Sequence, residues 1–88
     1  MKFTREKVHE ELRGILREHA QAGVEVTDSS HLIGDLGLDS LGLAEVLAAI
    51  EDKFGLAFPE DALKDVDTVA SVMRAVEIRL QKAGRLEG

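Results

Sequence analysis

Apolar residues recur along this chain at the spacing of an amphipathic helix, and three stretches carry the pattern clearly. Val8, Leu12, Ile15 and Leu16 follow a threonine suited to cap a helix, so a first helix is predicted from just after Thr4 to about Ala20. Leu43, Val46, Leu47, Ile50 and Phe54 fall within about 100° of arc at 3.6 residues per turn. They predict a second helix that starts at Asp39 or Ser40, ends near Phe54 and is stopped by Gly55. Val69, Val72, Met73, Val76 and Leu80 share one face of a last helix, introduced by Asp67-Thr68. Pro59 suits the first position of a short third helix reaching Ala62 or Leu63. No segment alternates as a half-buried strand would. Three longer helices and one short one make the expected fold class all-α, a four-helix bundle.

Residues 21–38 read as a long loop rich in Gly, Ser, Thr and Asp, with Leu32, Ile33, Leu36 and Leu38 expected to pin it onto the core. A loop this long in so small a domain is more often functional than idle. Gly14, inside the first helix, costs roughly 1 kcal/mol relative to alanine. The periodic segments form one domain, residues 1–83; residues 84–88 lack periodicity and are expected to fray.

Composition narrows the class. The chain has 88 residues, 44% of them hydrophobic, enough for one core and too few for a deep enzyme cleft beside it. There is no cysteine, which excludes disulfides and thiolate metal sites and fits a reducing, cytoplasmic setting. No apolar run approaches the roughly 18–20 residues of a membrane span, and the first residues lead into charges instead of a signal peptide. Charge is uneven: residues 1–27 are net zero, residues 28–67 net −8 and residues 68–88 net +2. A field this negative repels nucleic-acid phosphate and anionic membranes and attracts basic protein patches. A merely solubilising acidic surface gives the same total.

Candidate chemistry centres on Ser40, at the predicted junction of loop and helix. The plain structural reading is a helix N-cap, for which Ser and Asp are both favoured. A nucleophilic triad with His31 and Asp35 lacks a Gly-x-Ser-x-Gly elbow and a sheet to hold an oxyanion hole. A calcium loop starting at Asp35 would need glycine and glutamate where Ser40 and Val46 stand.

The run Asp35-Leu36-Gly37-Leu38-Asp39-Ser40-Leu41, continued by Glu45, Ile50, Glu51, Asp52 and Phe54 and then by Pro59 and Thr68-Val69, resembles the acyl carrier protein family. The likeness covers about Val26 to Val76; the first helix matches in character only. It implies a bundle of acyl-carrier type, and a non-catalytic protein that carries acyl groups as thioesters. The arm implied is a 4′-phosphopantetheine transferred from coenzyme A to the Ser40 hydroxyl, with Asp39 helping the transferase or its metal ion recognise the site. Gly37 would free the backbone just before the junction.

Leu41, Glu45, Ala48 and Asp52 form a stripe roughly opposite the core face of the second helix, with Ala44 and Glu51 at its edge. A single exposed leucine is unremarkable. Beside these acids, the resemblance makes Leu41 an anchor for partner enzymes that dock through Arg/Lys patches. The partners implied are a phosphopantetheinyl transferase and acyl-loading and acyl-processing enzymes, with the carrier a free-standing monomer. Gly42 stands where many relatives carry an acid, and Ala48 is smaller than usual there, which favours a specialised fatty-acid or polyketide-type pathway. An aminoacyl or peptidyl carrier fed by an adenylating ligase needs the same serine, and a helical adaptor without prosthetic group is the rival of another class. His9 and His31 show no metal-ligand spacing, His19 is explained by packing near a helix end, and Arg74, Arg79, Lys82 and Arg85 read as a solvated basic face. An acyl-sheltering lining of Val46, Leu47, Ile50, Leu63, Val69 and Val72 is equally what any bundle core requires.

Overall fold

A short polar side chain opens each long helix by taking up a backbone N–H that the helix leaves unpaired. Thr4 Oγ1 accepts from Lys7 N–H at 3.1 Å, Asp39 Oδ1 from Gly42 N–H at 2.8 Å, and Thr68 Oγ1 from Ser71 N–H at 3.3 Å. The computed structural model describes residues 2–58 and 66–87. Over these the chain is mostly helical: β1 (Phe3–Thr4), α1 (Arg5–His19), α2 (Ser40–Phe54), α3 (Val69–Lys82) and β2 (Leu86–Glu87). The helices begin where their caps predict, α1 and α2 end within a residue of expectation, and Gly55 closes α2 in the left-handed region at φ 64°. The short helix predicted from Pro59 lies outside the described residues.

The three apolar stripes meet in one core. Val8, Leu12, Ile15 and Leu16 of α1, Val46, Ile50 and Phe54 of α2, and Val69, Val72, Met73, Val76 and Leu80 of α3 are buried. Each large side chain so removed from water contributes roughly 1.5–3 kcal/mol. Leu43 and Leu47, predicted on the same stripe, are only half-buried: Leu43 lies in the first turn of α2 and lines a surface cleft, and Leu47 sits at the stripe's margin. Surface ion pairs join the helices, with Lys53 reaching Glu11 at 3.0 Å between α2 and α1, and Arg5 reaching Glu77 at 2.7 Å between α1 and α3.

The loop of residues 21–38 is held by burial and by backbone pairing. Leu32, Leu36 and Leu38 are buried as expected, but Ile33 is 66% exposed. The turns at His31–Gly37 (Asp35 and Leu36 N–H to the His31 carbonyl, Gly37 N–H to that of Ile33) point Ile33 outward. The loop in turn supplies acceptors to the start of α3: Ser30 O takes Val69 N–H at 3.0 Å and Asp28 O takes Ala70 N–H at 2.9 Å. Loop and α3 therefore form one unit.

The end of the chain corrects an expectation. Residues 84–87, read as a frayed tail, fold back across the opposite terminus. Gly84 turns the chain at φ 69°, and Leu86 and Glu87 pair in parallel with Phe3 and Thr4. Phe3 packs edge-on against Phe54 with ring centroids 5.0 Å apart. Arg85, assigned to a solvated face, instead lies over the Phe3 ring and donates from Nη1 to the Gly55 carbonyl at 3.1 Å, where the negative end of α2 favours a cation.

Candidate functional site

The approach to α2 is built by alternation about a glycine. Leu36 and Leu38 are both buried, and Gly37 between them adopts φ 72°, which an L side chain resists. Gln21 N–H bonds to Leu36 O at 3.1 Å, so a side chain on Gly37 would also run into Gln21. Asp39 follows in extended conformation and caps the helix through its carboxylate, with its own carbonyl accepting from Leu43 N–H at 2.8 Å. Asp39 therefore does the capping that the plain reading gave to Ser40.

Ser40 is the first helical residue and is exposed. Its hydroxyl and the N–H groups of Ser40 and Leu41 make no protein hydrogen bond among the described residues. These N–H groups lie at the positive end of α2, where an anion gains roughly 0.3–1 kcal/mol at an exposed site. Gly42 fits its surroundings closely: a Cβ there would meet Asp39 Oδ1 and Leu38 Cδ2, each at 3.3 Å. The rejected triad is not assembled, since the Asp35 carboxylate accepts from the backbone N–H of His31 at 2.7 Å.

On the outer face of α2, Leu41 is 68% exposed, and Ala44, Glu45, Ala48 and Asp52 are exposed along the same side. Glu51, expected at the edge of this stripe, is engaged elsewhere. It is half-buried, and its carboxylate accepts from Phe58 N–H at 2.8 Å, which turns it toward the segment leaving the helix. Two features had no sequence signal. His19 Nε2 of α1 lies 3.8 Å from Glu45 Oε2, a contact that needs the packing of α1 on α2. Ile33 forms part of a cleft of about 200 Å³ with His31, Leu32, Gly34, Leu43, Val66 and Asp67. Leu43 stands one turn beyond Ser40 on the same side of α2, so the cleft opens near the serine. Val46, Ile50, Val69 and Val72, named as an acyl-sheltering lining, are packed to 1% exposure or less. Leu63 lies outside the described residues. Among the described residues no cluster of His, Cys, Asp and Glu suits a metal, and no helix is long and apolar enough to cross a membrane.

Residues 6–76 match the family model described as a phosphopantetheine attachment site. The chain is 35% identical over 78 residues to an acyl carrier protein of Thermobifida fusca, covering 88% of this chain and 99% of that one. It is 38% identical over 74 residues to that of Phenylobacterium zucineum, covering 83% and 94%. With the acyl carrier protein MbtL of a Mycobacterium species it shares 38% identity over 76 residues, 85% of either chain. The chain belongs to the phosphopantetheine-attachment family. It is an acyl carrier protein: a non-catalytic carrier whose cofactor is a covalently attached 4′-phosphopantetheine. The start of α2 fits such a group, offering an uncommitted exposed hydroxyl, unpaired N–H groups for a phosphodiester, and an apolar cleft one turn away.

Proposed function

We propose that Ser40 carries the phosphopantetheine and that this carrier serves a specialised fatty-acid or polyketide-type pathway. The observation that supports the assignment of Ser40 is the division of labour at the helix start. Asp39 satisfies the cap, so the neighbouring hydroxyl is exposed and chemically idle. When bound, the arm supplies a thiol that holds an acyl group as a reactive thioester. The protein's own residues do the rest: Asp39 fixes the junction, Gly37 sets the approach, and the α2 dipole tolerates the phosphodiester's charge. By this reading the transferase also recognises the Asp39 carboxylate.

Leu41, Ala44, Glu45, Ala48 and Asp52 form the docking face for the transferase and acyl-handling enzymes, with Glu51 a supporting residue at its lower edge. Complementary charge raises encounter rates while each complex stays weak enough to release. Gly42 and Ala48 make this face less acidic and less bulky near the serine, which supports a dedicated pathway over general fatty-acid synthesis. The carrier acts as a cytoplasmic monomer of the four-helix type. An aminoacyl or peptidyl cargo uses the same site and differs only in the loading ligase.

The test is an intact mass after incubation with coenzyme A and a broad-specificity phosphopantetheinyl transferase. One phosphopantetheinyl group is gained by the wild type and none by Ser40→Ala. An unchanged mass with every transferase tried would contradict the proposal.

A further inference from the structure

His19 is the last residue of α1, and its ring bridges to the outer face of α2. Nδ1 lies 2.9 Å from the Ile15 carbonyl, which can only accept, so Nδ1 carries a proton. In the neutral ring Nε2 is then a bare lone pair, and it faces Glu45 Oε2 at 3.8 Å. Among the described residues Glu45 is the carboxylate within 4 Å of the ring. On α1 itself Arg17 and Glu18 precede it at other helix angles, and the residues that follow, Ala20, Gln21 and Ala22, carry no charge. The ring is mostly covered whereas the Glu45 side chain is half open to solvent, so Glu45 can turn toward either the imidazole or a partner.

We infer that His19 is a positioning residue that sets how available Glu45 is to basic partners. An imidazole changes charge between about pH 5 and 8. The neutral ring has nothing to donate to Glu45 and leaves its charge to the docking face. The protonated ring sets a positive charge 3.8 Å from the carboxylate, at a helix C-terminus that favours the cation, and competes with a partner's Arg or Lys. Docking is therefore weaker when the ring is charged than when it is neutral. This inference rests on the proposed docking face.

The experiment measures KM for modification by a broad-specificity phosphopantetheinyl transferase, with coenzyme A saturating, at pH 8 and pH 6, for wild type, His19→Gln, Glu45→Gln and the double variant. Taking ratios between carriers at each pH cancels the transferase's own titration. The KM of wild type relative to His19→Gln should rise about two- to fivefold from pH 8 to pH 6, the scale of one partly exposed charge pair, with kcat unchanged. In the Glu45→Gln background His19→Gln should have no effect at either pH. A wild-type to His19→Gln ratio that is flat with pH, while Glu45→Gln raises KM at pH 8, overturns the role of His19 alone. A KM insensitive to Glu45→Gln at pH 8 overturns Glu45 as a docking residue, and the inference with it.

Discussion

Asp39 caps α2 through Gly42 N–H and is proposed also to be read by the transferase through the same charge, and substitutions separate the two roles. Asparagine caps about as well as aspartate, whereas alanine forfeits about 0.5–2 kcal/mol. Asp39→Ala should therefore lower the thermal midpoint by several degrees, while Asp39→Asn leaves it nearly unchanged. If the transferase reads the charge, both variants are modified slowly; if only the cap matters, Asp39→Asn is modified at the wild-type rate. Thermal denaturation and modification rates on the same samples distinguish the outcomes. At this scale the motif around Ser40 was readable from sequence, because cap chemistry is local. The engagement of Glu51 with Phe58 N–H was not, since it depends on how the chain leaves α2.

The helices were the most legible elements, because each combines a 3.6-residue stripe with a capping residue. Their interior glycines make a contrast. At Gly14 a Cβ would meet nothing within 4 Å, so Gly14→Ala should raise stability by about 0.5–1 kcal/mol, the ordinary helix-propensity gain. At Gly42 the same gain is opposed by contacts at 3.3 Å with Asp39 Oδ1 and Leu38 Cδ2, so Gly42→Ala should stabilise less than Gly14→Ala. Chemical denaturation of both variants checks the difference. Between elements, the Lys53 ammonium, followed by that of Lys7, holds the Glu11 carboxyl below its usual value. A carboxyl lowered on folding adds stability above its unfolded value and loses it as pH falls through the folded one. Lys53→Met should thus cost a few tenths of a kcal/mol at pH 7, as surface pairs do, and less at an acidic pH low enough to protonate Glu11. Denaturant midpoints of both proteins at the two pH values provide the measurement, and equal costs would contradict the pairing.

Across the whole molecule, the two ends of the chain are tied at the end of α2 remote from Ser40. Phe3, Arg85 and Leu86 meet Phe54 and the Gly55 carbonyl there, so one short clasp joins all three helices. Two-residue strands carry no usable periodicity, which is why the tail read as frayed. Its register comes from tertiary contacts that no local pattern encodes. Removing residues 84–88 should lower stability by about 1–3 kcal/mol, on the scale of the half-buried Leu86 and the lost Phe3 contacts. It should also release the Phe3 amide, which donates to Arg85 O at 2.7 Å, to fast hydrogen exchange. An unchanged midpoint and a still-protected amide would mean that the clasp contributes nothing.

The proposed attachment site is one hydroxyl oxygen among several candidates. Ser29, Ser30, Ser40 and Ser71 all carry hydroxyls, but Ser30 and Ser71 are engaged with Thr27 and with Asp67 and Thr68, and Ser29 lies 3.3 Å from Thr27 Oγ1. Fragmentation mass spectrometry of the protein after modification with coenzyme A and transferase locates the attached group directly. Phosphopantetheine is expected on Ser40 alone; attachment at any other residue, or at none, would refute the assignment.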